Sequence, residues 1–306
     1  MTHPFQLRGV LAPLTTPFAA DGSLALDRLA GNLAKYNRTP LAGYVITGST
    51  GESVMLTREE TERVWAAARQ AAAPDKILIA GTGVDSTAET IARTRWAAEK
   101  GYAAAMVKTP YYYKPMMTPA VLEEHFRRVA DASPIPILIY SMPPFTGITV
   151  EADLAARLSQ HPNIAGIKDS AGSAERTGEI VRQARPGFQT VVGSAHIFAA
   201  SLAAGARGGI LALACFLPEL CNELFEAHSR GEAARVEELQ RIIAPPARTI
   251  VSKYGPPGVK YAMDRRGYYG GPPRSPLQPL SAQAAAEVDA LLAAALPVAP
   301  AAALGD

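Results

Sequence analysis

Short apolar segments alternate with longer amphipathic segments from about residue 9 to about residue 230. Eight apolar segments are almost continuously hydrophobic, which is typical of β-strands that are covered on both faces. They are Val10–Leu14, Gly43–Thr47, Ile77–Ala80, Ala103–Lys108, Ile135–Tyr140, Ile164–Lys168, Thr190–Gly193 and Gly209–Leu213. We expect each segment to form one strand of a sheet.

The segments between these strands have the spacing of amphipathic helices. Some helix boundaries carry their own signals, because Thr57 and Glu60 have capping-box spacing and Pro119 follows Thr118 at a first helical position. The predicted helices are Leu24–Tyr36, Arg58–Ala72, Thr87–Lys100, Pro119–Ala132, Glu151–Leu158, Ala174–Ala184 and Ile197–Ala204.

Eight strands that alternate with helices predict an α/β fold, a (β/α)8 TIM barrel. The alternative is an open doubly wound sheet, which differs in strand order. We expect the barrel to occupy residues 1–230, and residues 231–306 to form a C-terminal helical extension that packs on it. The extension contains predicted helices at Glu232–Ile243, Pro245–Lys253 and Ser281–Leu296, a loop at Gly267–Pro279 and a frayed end at Pro297–Asp306.

Composition narrows the class of protein. The chain has 306 residues, 48% of them hydrophobic, and 30 Lys and Arg against 28 Asp and Glu give a net charge of +2. This balance argues against nucleic-acid and membrane partners. The first residues, Met1-Thr2-His3-Pro4, lack the pattern of a secretory signal. The cysteines, Cys215 and Cys221, are too few for a disulfide framework, so we expect a cytoplasmic protein.

Lys168 is the main candidate for chemistry, since it ends an apolar strand at the end where barrels place their active sites. An apolar barrel removes hydration from an amine, and the neutral amine can attack a ketone to form a Schiff base. The alternative interpretation is a solvated lysine paired with Asp169. Lys108 also ends a strand and is the second candidate nucleophile.

Tyr140 ends the strand before that of Lys168, so we expect the phenol and the amine to share one cavity, with the phenol moving protons. The alternative is a packed tyrosine bonded to backbone. The Gly48–Gly51 loop offers two hydroxyls and backbone N–H groups for a carboxylate or phosphate, or else simply caps the next helix. The histidines are scattered, so we do not expect a metal site. Schiff-base chemistry on a lysine needs no organic cofactor, so we expect none.

The chain resembles the dihydrodipicolinate synthase/N-acetylneuraminate lyase family, class I pyruvate aldolases, in Gly48-Ser49-Thr50-Gly51-Glu52, in Tyr140 and in Gly166-Ile167-Lys168-Asp169-Ser170. The resemblance implies that Lys168 forms the Schiff base and that Tyr140 transfers protons. It implies that Gly48, Ser49 and Thr50 bind the keto-acid carboxylate, with Thr50 relaying protons. It also implies a homo-oligomer, a dimer of dimers, in which Tyr112 reaches the neighbouring subunit.

The resemblance also bears on the substrate. Phe145 stands where dihydrodipicolinate synthases usually carry an arginine, and Leu211 makes the end of the last strand too apolar for a sugar. The Leu158–Ile164 and Gly267–Arg274 stretches and the Gly193 run look most like 4-hydroxy-2-oxoglutarate aldolase, which releases pyruvate and glyoxylate. We therefore expect pyruvate, an aldehyde, and Gly193 and Leu211 at the substrate. The alternatives are a dihydrodipicolinate synthase and, in another class, a non-catalytic keto-acid sensor.

Overall fold

The computed structural model describes residues 5–296, so the predictions for Met1–Pro4 and Pro297–Asp306 lie outside the described residues. Eight parallel strands follow one another in chain order in a closed barrel, which confirms the TIM barrel and rules out the open sheet. The strands are β1 (Gly9–Pro13), β2 (Gly43–Ile46), β3 (Ile77–Gly81), β4 (Ala104–Lys108), β5 (Ile137–Ser141), β6 (Ile164–Asp169), β7 (Gln189–Val192) and β8 (Gly208–Ile210).

Helices separate the strands and form the C-terminal region. They are α1 (Leu26–Tyr36), α2 (Arg58–Ala71), α3 (Thr87–Glu99), α4 (Pro119–Ala132), α5 (Pro143–Thr146), α6 (Ala152–Ser159), α7 (Ala174–Gln183), α8 (Phe198–Ala203), α9 (Pro218–Ser229), α10 (Ala233–Pro246), α11 (Gly255–Arg265) and α12 (Ala282–Ala295). Among the described residues, no helix is both long enough and apolar enough to cross a membrane.

The chain divides into two compact units. One comprises the N-terminal residues up to Gly9 together with Leu78–Ile210, and the other comprises Val10–Ile77 together with the residues from Leu211 onward. We call them the central unit and the terminal unit. The predicted boundary near residue 230 between barrel and extension stays a prediction.

The core of the central unit lies between its strands and its helices. Side chains from alternate strand positions, including Val107, Ile139 and Ile167, form one cluster with Phe126 and Val129 of α4. Successive side chains of a strand point to opposite faces, so the residues next to this cluster in sequence face the barrel interior. This alternation makes Lys108 of β4 and Lys168 of β6, the residues after Val107 and Ile167, face the barrel interior.

The terminal unit contains helices that the sequence did not predict. α9 was missed because its first residues continue an apolar run, and α11 because Pro256 and Pro257 occupy its first turn, where proline is tolerated. α10 runs through Pro245 and Pro246, and a π-helical segment, Ala247–Lys253, follows instead of a new helix. Proline has no backbone N–H to donate to the preceding α-helical turn. We attribute the wider π-helical turn to the missing donors of Pro245 and Pro246.

Candidate active site

Lys168 and Tyr140 lie side by side at the ends of neighbouring strands. They are register partners in the β5–β6 pair. The Lys168 Nζ lies 4.2 Å from the centre of the Tyr140 ring. Lys168 is 5% exposed and Tyr140 is 4% exposed, so the amine and the phenol ring occupy one solvent-poor space.

Alternation along β6 explains why Lys168 points inward. Ile167 belongs to the cluster between strands and helices, so Lys168 faces the barrel interior and Asp169 faces the helices. Asp169 is buried and its carboxylate accepts a hydrogen bond from Arg176 of α7 at 3.3 Å. Burial raises the pKa of Asp169, and Arg176 opposes that rise. Lys168 is therefore not the solvated partner of Asp169 that the alternative interpretation required.

Gly193 leaves room for the Lys168 side chain. A Cβ at position 193 would lie 3.0 Å from the Lys168 Cε and 1.9 Å from the Ser170 Oγ. Any larger residue would therefore displace both side chains. The structure thus brings Gly193 into contact with the predicted Schiff-base lysine, while its contact with substrate stays a prediction.

Lys108 extends the same row of strand ends by one strand. It is the register partner of Tyr140 in the β4–β5 pair. Its ammonium donates a hydrogen bond of 2.7 Å to the Gly83 carbonyl and lies 5.7 Å from the centre of the Tyr111 ring. Burial lowers the pKa of Lys108 to about 8, and Asp85 partly opposes this effect. Lys108 is half-buried, whereas Lys168 is buried.

The loop after β4 is held by Asp85. Its carboxylate accepts hydrogen bonds from the backbone N–H groups of Tyr111 and Tyr112 at 2.8 and 2.9 Å. The Tyr112 side chain is 75% exposed and packs edge-on against Tyr113. Tyr112 therefore projects from this chain, and its contact with a second subunit stays a prediction.

The predicted carboxylate-binding loop belongs to the terminal unit. Thr47 and Glu52, at its two ends, have φ of 56° and 54°, the left-handed region. Ser49 and Thr50 are half-buried and Gly48 is buried. The backbone N–H groups of Gly51 and Glu52 donate hydrogen bonds to the carbonyl groups of Gly48 and Ser49. These two N–H groups are therefore not available to bind the anion that the sequence analysis expected at this loop.

Leu211 follows directly on β8, which ends at Ile210 rather than at the predicted Leu213. A short 3-10 turn, Ala212–Cys215, replaces the last predicted strand residues. Leu211 is fully buried, whereas Phe145 on α5 is 56% exposed. The role of Leu211 in substrate binding stays a prediction.

A buried ion pair behind the Gly48–Glu52 loop was missed. Lys260 of α11 lies 2.6 Å from the Glu52 carboxylate, and the other carboxylate oxygen accepts from the Arg274 N–H. The sequence analysis named Glu52 only as the last residue of the Gly48–Glu52 motif. The hydrophobic periodicity of the sequence does not indicate which distant lysine pairs with it. Across residues 5–296, no group of three or more His, Cys, Asp or Glu side chains could hold a metal ion.

Comparisons with known proteins agree with this architecture. Residues 6–295 match the model of the dihydrodipicolinate synthetase family. The chain is 38% identical over 275 residues to a 4-hydroxy-tetrahydrodipicolinate synthase of Methanothrix thermoacetophila, with 90% of this chain and 92% of that protein covered. It is also 38% identical over 286 residues to a probable mitochondrial 4-hydroxy-2-oxoglutarate aldolase of Emericella nidulans, covering 91% and 92%.

Solved structures show the same fold. A dihydrodipicolinate synthase from Bacillus anthracis matches with a TM-score of 0.91 at 25% identity, covering 95% of this chain and 99% of that chain. A chloride-inhibited dihydrodipicolinate synthase from Acinetobacter baumannii, complexed with pyruvate, matches with a TM-score of 0.90 at 29% identity, covering 95% and 99%. The chain therefore belongs to the dihydrodipicolinate synthetase family and is an enzyme, a lyase of the aldolase type.

Proposed function

We propose that this enzyme cleaves 4-hydroxy-2-oxoglutarate to pyruvate and glyoxylate through a Schiff base on Lys168. The observation that carries the proposal is the buried Lys168 amine, 4.2 Å from the Tyr140 ring centre. The complex of the Acinetobacter baumannii structure with pyruvate supports a 2-oxo acid ligand. The name of the Emericella nidulans relative supports this particular substrate.

The mechanism uses the two side chains in turn. The Lys168 amine attacks the C2 ketone, and the Tyr140 hydroxyl gives its proton to the departing water and becomes a phenolate. The resulting iminium withdraws electrons from C3. The Tyr140 oxygen takes the proton of the C4 hydroxyl, the C3–C4 bond breaks and glyoxylate departs. The bonding electrons form an enamine on Lys168. Protonation at C3 and hydrolysis of the iminium release pyruvate and regenerate the amine.

A dihydrodipicolinate synthase, which joins pyruvate to aspartate semialdehyde, is the second candidate. The name of the Methanothrix thermoacetophila relative favours it. Phe145 argues against this second candidate, because it is apolar and exposed at the position where dihydrodipicolinate synthases usually carry an arginine. Both candidates use the same imine and differ only in the aldehyde.

Two assays separate these candidates. The first offers pyruvate with glyoxylate or with aspartate semialdehyde and identifies products by mass. The second measures pyruvate released from 4-hydroxy-2-oxoglutarate with coupled lactate dehydrogenase. Cleavage of 4-hydroxy-2-oxoglutarate and product with glyoxylate support the proposal. Product with aspartate semialdehyde alone reverses the ranking, and the absence of turnover with every aldehyde, despite binding of pyruvate, favours the keto-acid sensor.

The remaining assignments extend this proposal. Ser49 and Thr50 are proposed to bind the carboxylate of the 2-oxo acid, so Ser49→Ala and Thr50→Val should raise the KM for pyruvate. Tyr112 is proposed to reach a neighbouring copy in a dimer of dimers, a role supported by its 75% exposure in this chain. Sedimentation of Tyr112→Ala beside the unaltered protein tests that contact, and the same oligomer size with the same kcat would contradict it.

A further inference from the structure

Three consecutive strands of the central unit end in a row of functional groups. Lys108 of β4 is in register with Tyr140 of β5, and Tyr140 is in register with Lys168 of β6. Partners in a parallel pair point to the same face of the sheet. Val107, Ile139 and Ile167, the residues before them, all face the helices. The two amines and the phenol therefore face the barrel interior side by side.

The spacing of this row suits a short extended ligand. Neighbouring strands lie about 4.8 Å apart, so two lysines on alternate strands start about 10 Å apart. The Lys168 side chain leans toward the middle of the row, since its Nζ lies 4.2 Å from the centre of the Tyr140 ring. The flexible four-carbon stem of Lys108 can turn toward it from the Gly83 carbonyl. In a 2-oxo acid of five carbons, C2 and C5 are separated by three bonds, or about 4 Å. One such molecule can therefore reach from the imine at Lys168, past Tyr140, to the Lys108 ammonium.

We propose that Lys108 determines specificity by binding the carboxylate at C5 of a five-carbon 2-oxo dicarboxylate whose C2 is held by Lys168. The order of the strand ends then matches the order of groups along the ligand, with Lys168 at C2, Tyr140 at the C4 hydroxyl and Lys108 at C5. This inference rests on the proposed function, because it assumes that Lys168 forms the imine.

The surroundings of Lys108 suit a carboxylate. Among the described residues its ammonium donates to one hydrogen-bond acceptor, the Gly83 carbonyl, so two of its three N–H donors remain for a ligand. The pKa of Lys108, about 8, keeps most of these side chains protonated at neutral pH. Asp85 favours the charged form and Arg93 opposes it. A charge-assisted hydrogen bond is strong where water is scarce.

The test compares two ligands that differ only at C5. 2-Oxoglutarate carries a carboxylate there and 2-oxopentanoate carries a methyl group, and either can form the imine. The protein is incubated with each acid and borohydride, and the concentration for half-maximal labelling is measured by intact mass. Peptide mapping then locates the label. This readout needs no carbon–carbon cleavage, so it is independent of the natural aldehyde.

The variants are Lys108→Met, which keeps the length of the side chain but removes its charge, and Lys108→Arg, which keeps the charge. Lys100→Met, just after α3 and beyond the opposite end of β4, controls for loss of a lysine elsewhere. We expect the unaltered protein to prefer 2-oxoglutarate by about 10–100-fold, the value of one charge-assisted hydrogen bond. Lys108→Met should reduce that preference to about 2-fold, while Lys108→Arg retains part of it and Lys100→Met all of it.

Because the measure is a ratio within each variant, partial unfolding cancels. Equal labelling by both acids in the unaltered protein, or a preference that survives Lys108→Met, would overturn the proposal. Label on Lys108 would overturn both this proposal and the assignment of Lys168. If the preference depends on Lys108 but 4-hydroxy-2-oxoglutarate is not cleaved, the proposed reaction is wrong and the dicarboxylate site stands.

Discussion

The Lys260 ammonium lies 2.6 Å from the Glu52 carboxylate, and the two side chains are 1% and 0% exposed. Lys260 also donates to the Pro272 carbonyl at 2.8 Å and lies 4.4 Å from the centre of the Phe18 ring. Burial lowers the pKa of Lys260, and Glu52 counteracts that shift. The pair joins the Gly48–Glu52 loop to helix α11 within the terminal unit.

Replacing one member of this pair should be strongly destabilising. Lys260→Met leaves the Glu52 carboxylate buried without its counterion, and we expect the free energy of unfolding to fall by about 3–5 kcal/mol. The double variant Lys260→Met/Glu52→Gln removes both charges and should recover much of the loss. Urea denaturation measures both effects.

An exposed ion pair provides the control. Lys253 lies 2.8 Å from Glu287, but the two side chains are 56% and 43% exposed. Solvent screens such a pair, so Lys253→Met should change the free energy of unfolding by less than about 1 kcal/mol. Equal losses for Lys253→Met and Lys260→Met would show that the buried pair has no special role in stability.

Removal of the proposed nucleophile should end catalysis. Lys168→Ala eliminates the amine, so no imine can form and turnover should fall to background. In the unaltered protein, pyruvate and borohydride should add a pyruvate-derived mass to the peptide that contains Lys168. Arg176→Lys serves as the control, because Arg176 of α7 contacts Asp169 on the helix-facing side of β6, and this variant should keep the label. Label elsewhere, or none, would contradict the assignment of Lys168.

Tyr140→Phe should separate imine formation from carbon–carbon cleavage. The variant keeps the ring beside Lys168 and loses only the hydroxyl, so we expect kcat to fall by about 10²–10⁴-fold, the usual contribution of a positioned acid or base. Borohydride trapping of pyruvate should remain. Unaltered kcat in the coupled assay would remove Tyr140 from the proton transfer.

The local pattern of hydrophobic and polar residues was sufficient to predict the barrel and the order of its strands. Each strand is an apolar run bounded by helical segments, and the Thr57–Glu60 capping box forms as its spacing predicted. The placement of Lys168 beside Tyr140 also follows from sequence, because consecutive barrel strands are neighbours and both residues end their strands. Patterns of this kind depend on residues close together in the chain.

Other features depend on residues far apart in the chain, and no local pattern encodes them. Glu52 and Lys260 are separated by 208 positions. The half-buried position of Lys108 follows from its inward register and from its bond to the Gly83 carbonyl. α11 was missed because prolines in a first helical turn resemble a loop when the packing of that helix is unknown.

His125 should make the free energy of unfolding depend on pH. His125 of α4 is buried, its Nδ1 is hydrogen-bonded to Thr87 at 2.9 Å, and its Nε2 has no partner among the described residues. Burial lowers the pKa of His125 from 6.5 to about 4, and Asp85 weakly opposes the shift. The unfolded chain therefore binds the proton more readily than the folded chain between these two values.

Stability from this group is complete above pH 6.5 and is lost progressively as pH falls toward 4. At pH 5 the loss should be about 2 kcal/mol relative to pH 7.5. Urea denaturation at both pH values should show that His125→Gln removes this part of the dependence, whereas His228→Gln on α9 retains it. The same loss between pH 7.5 and 5 in His125→Gln as in the unaltered protein would show that another group is responsible.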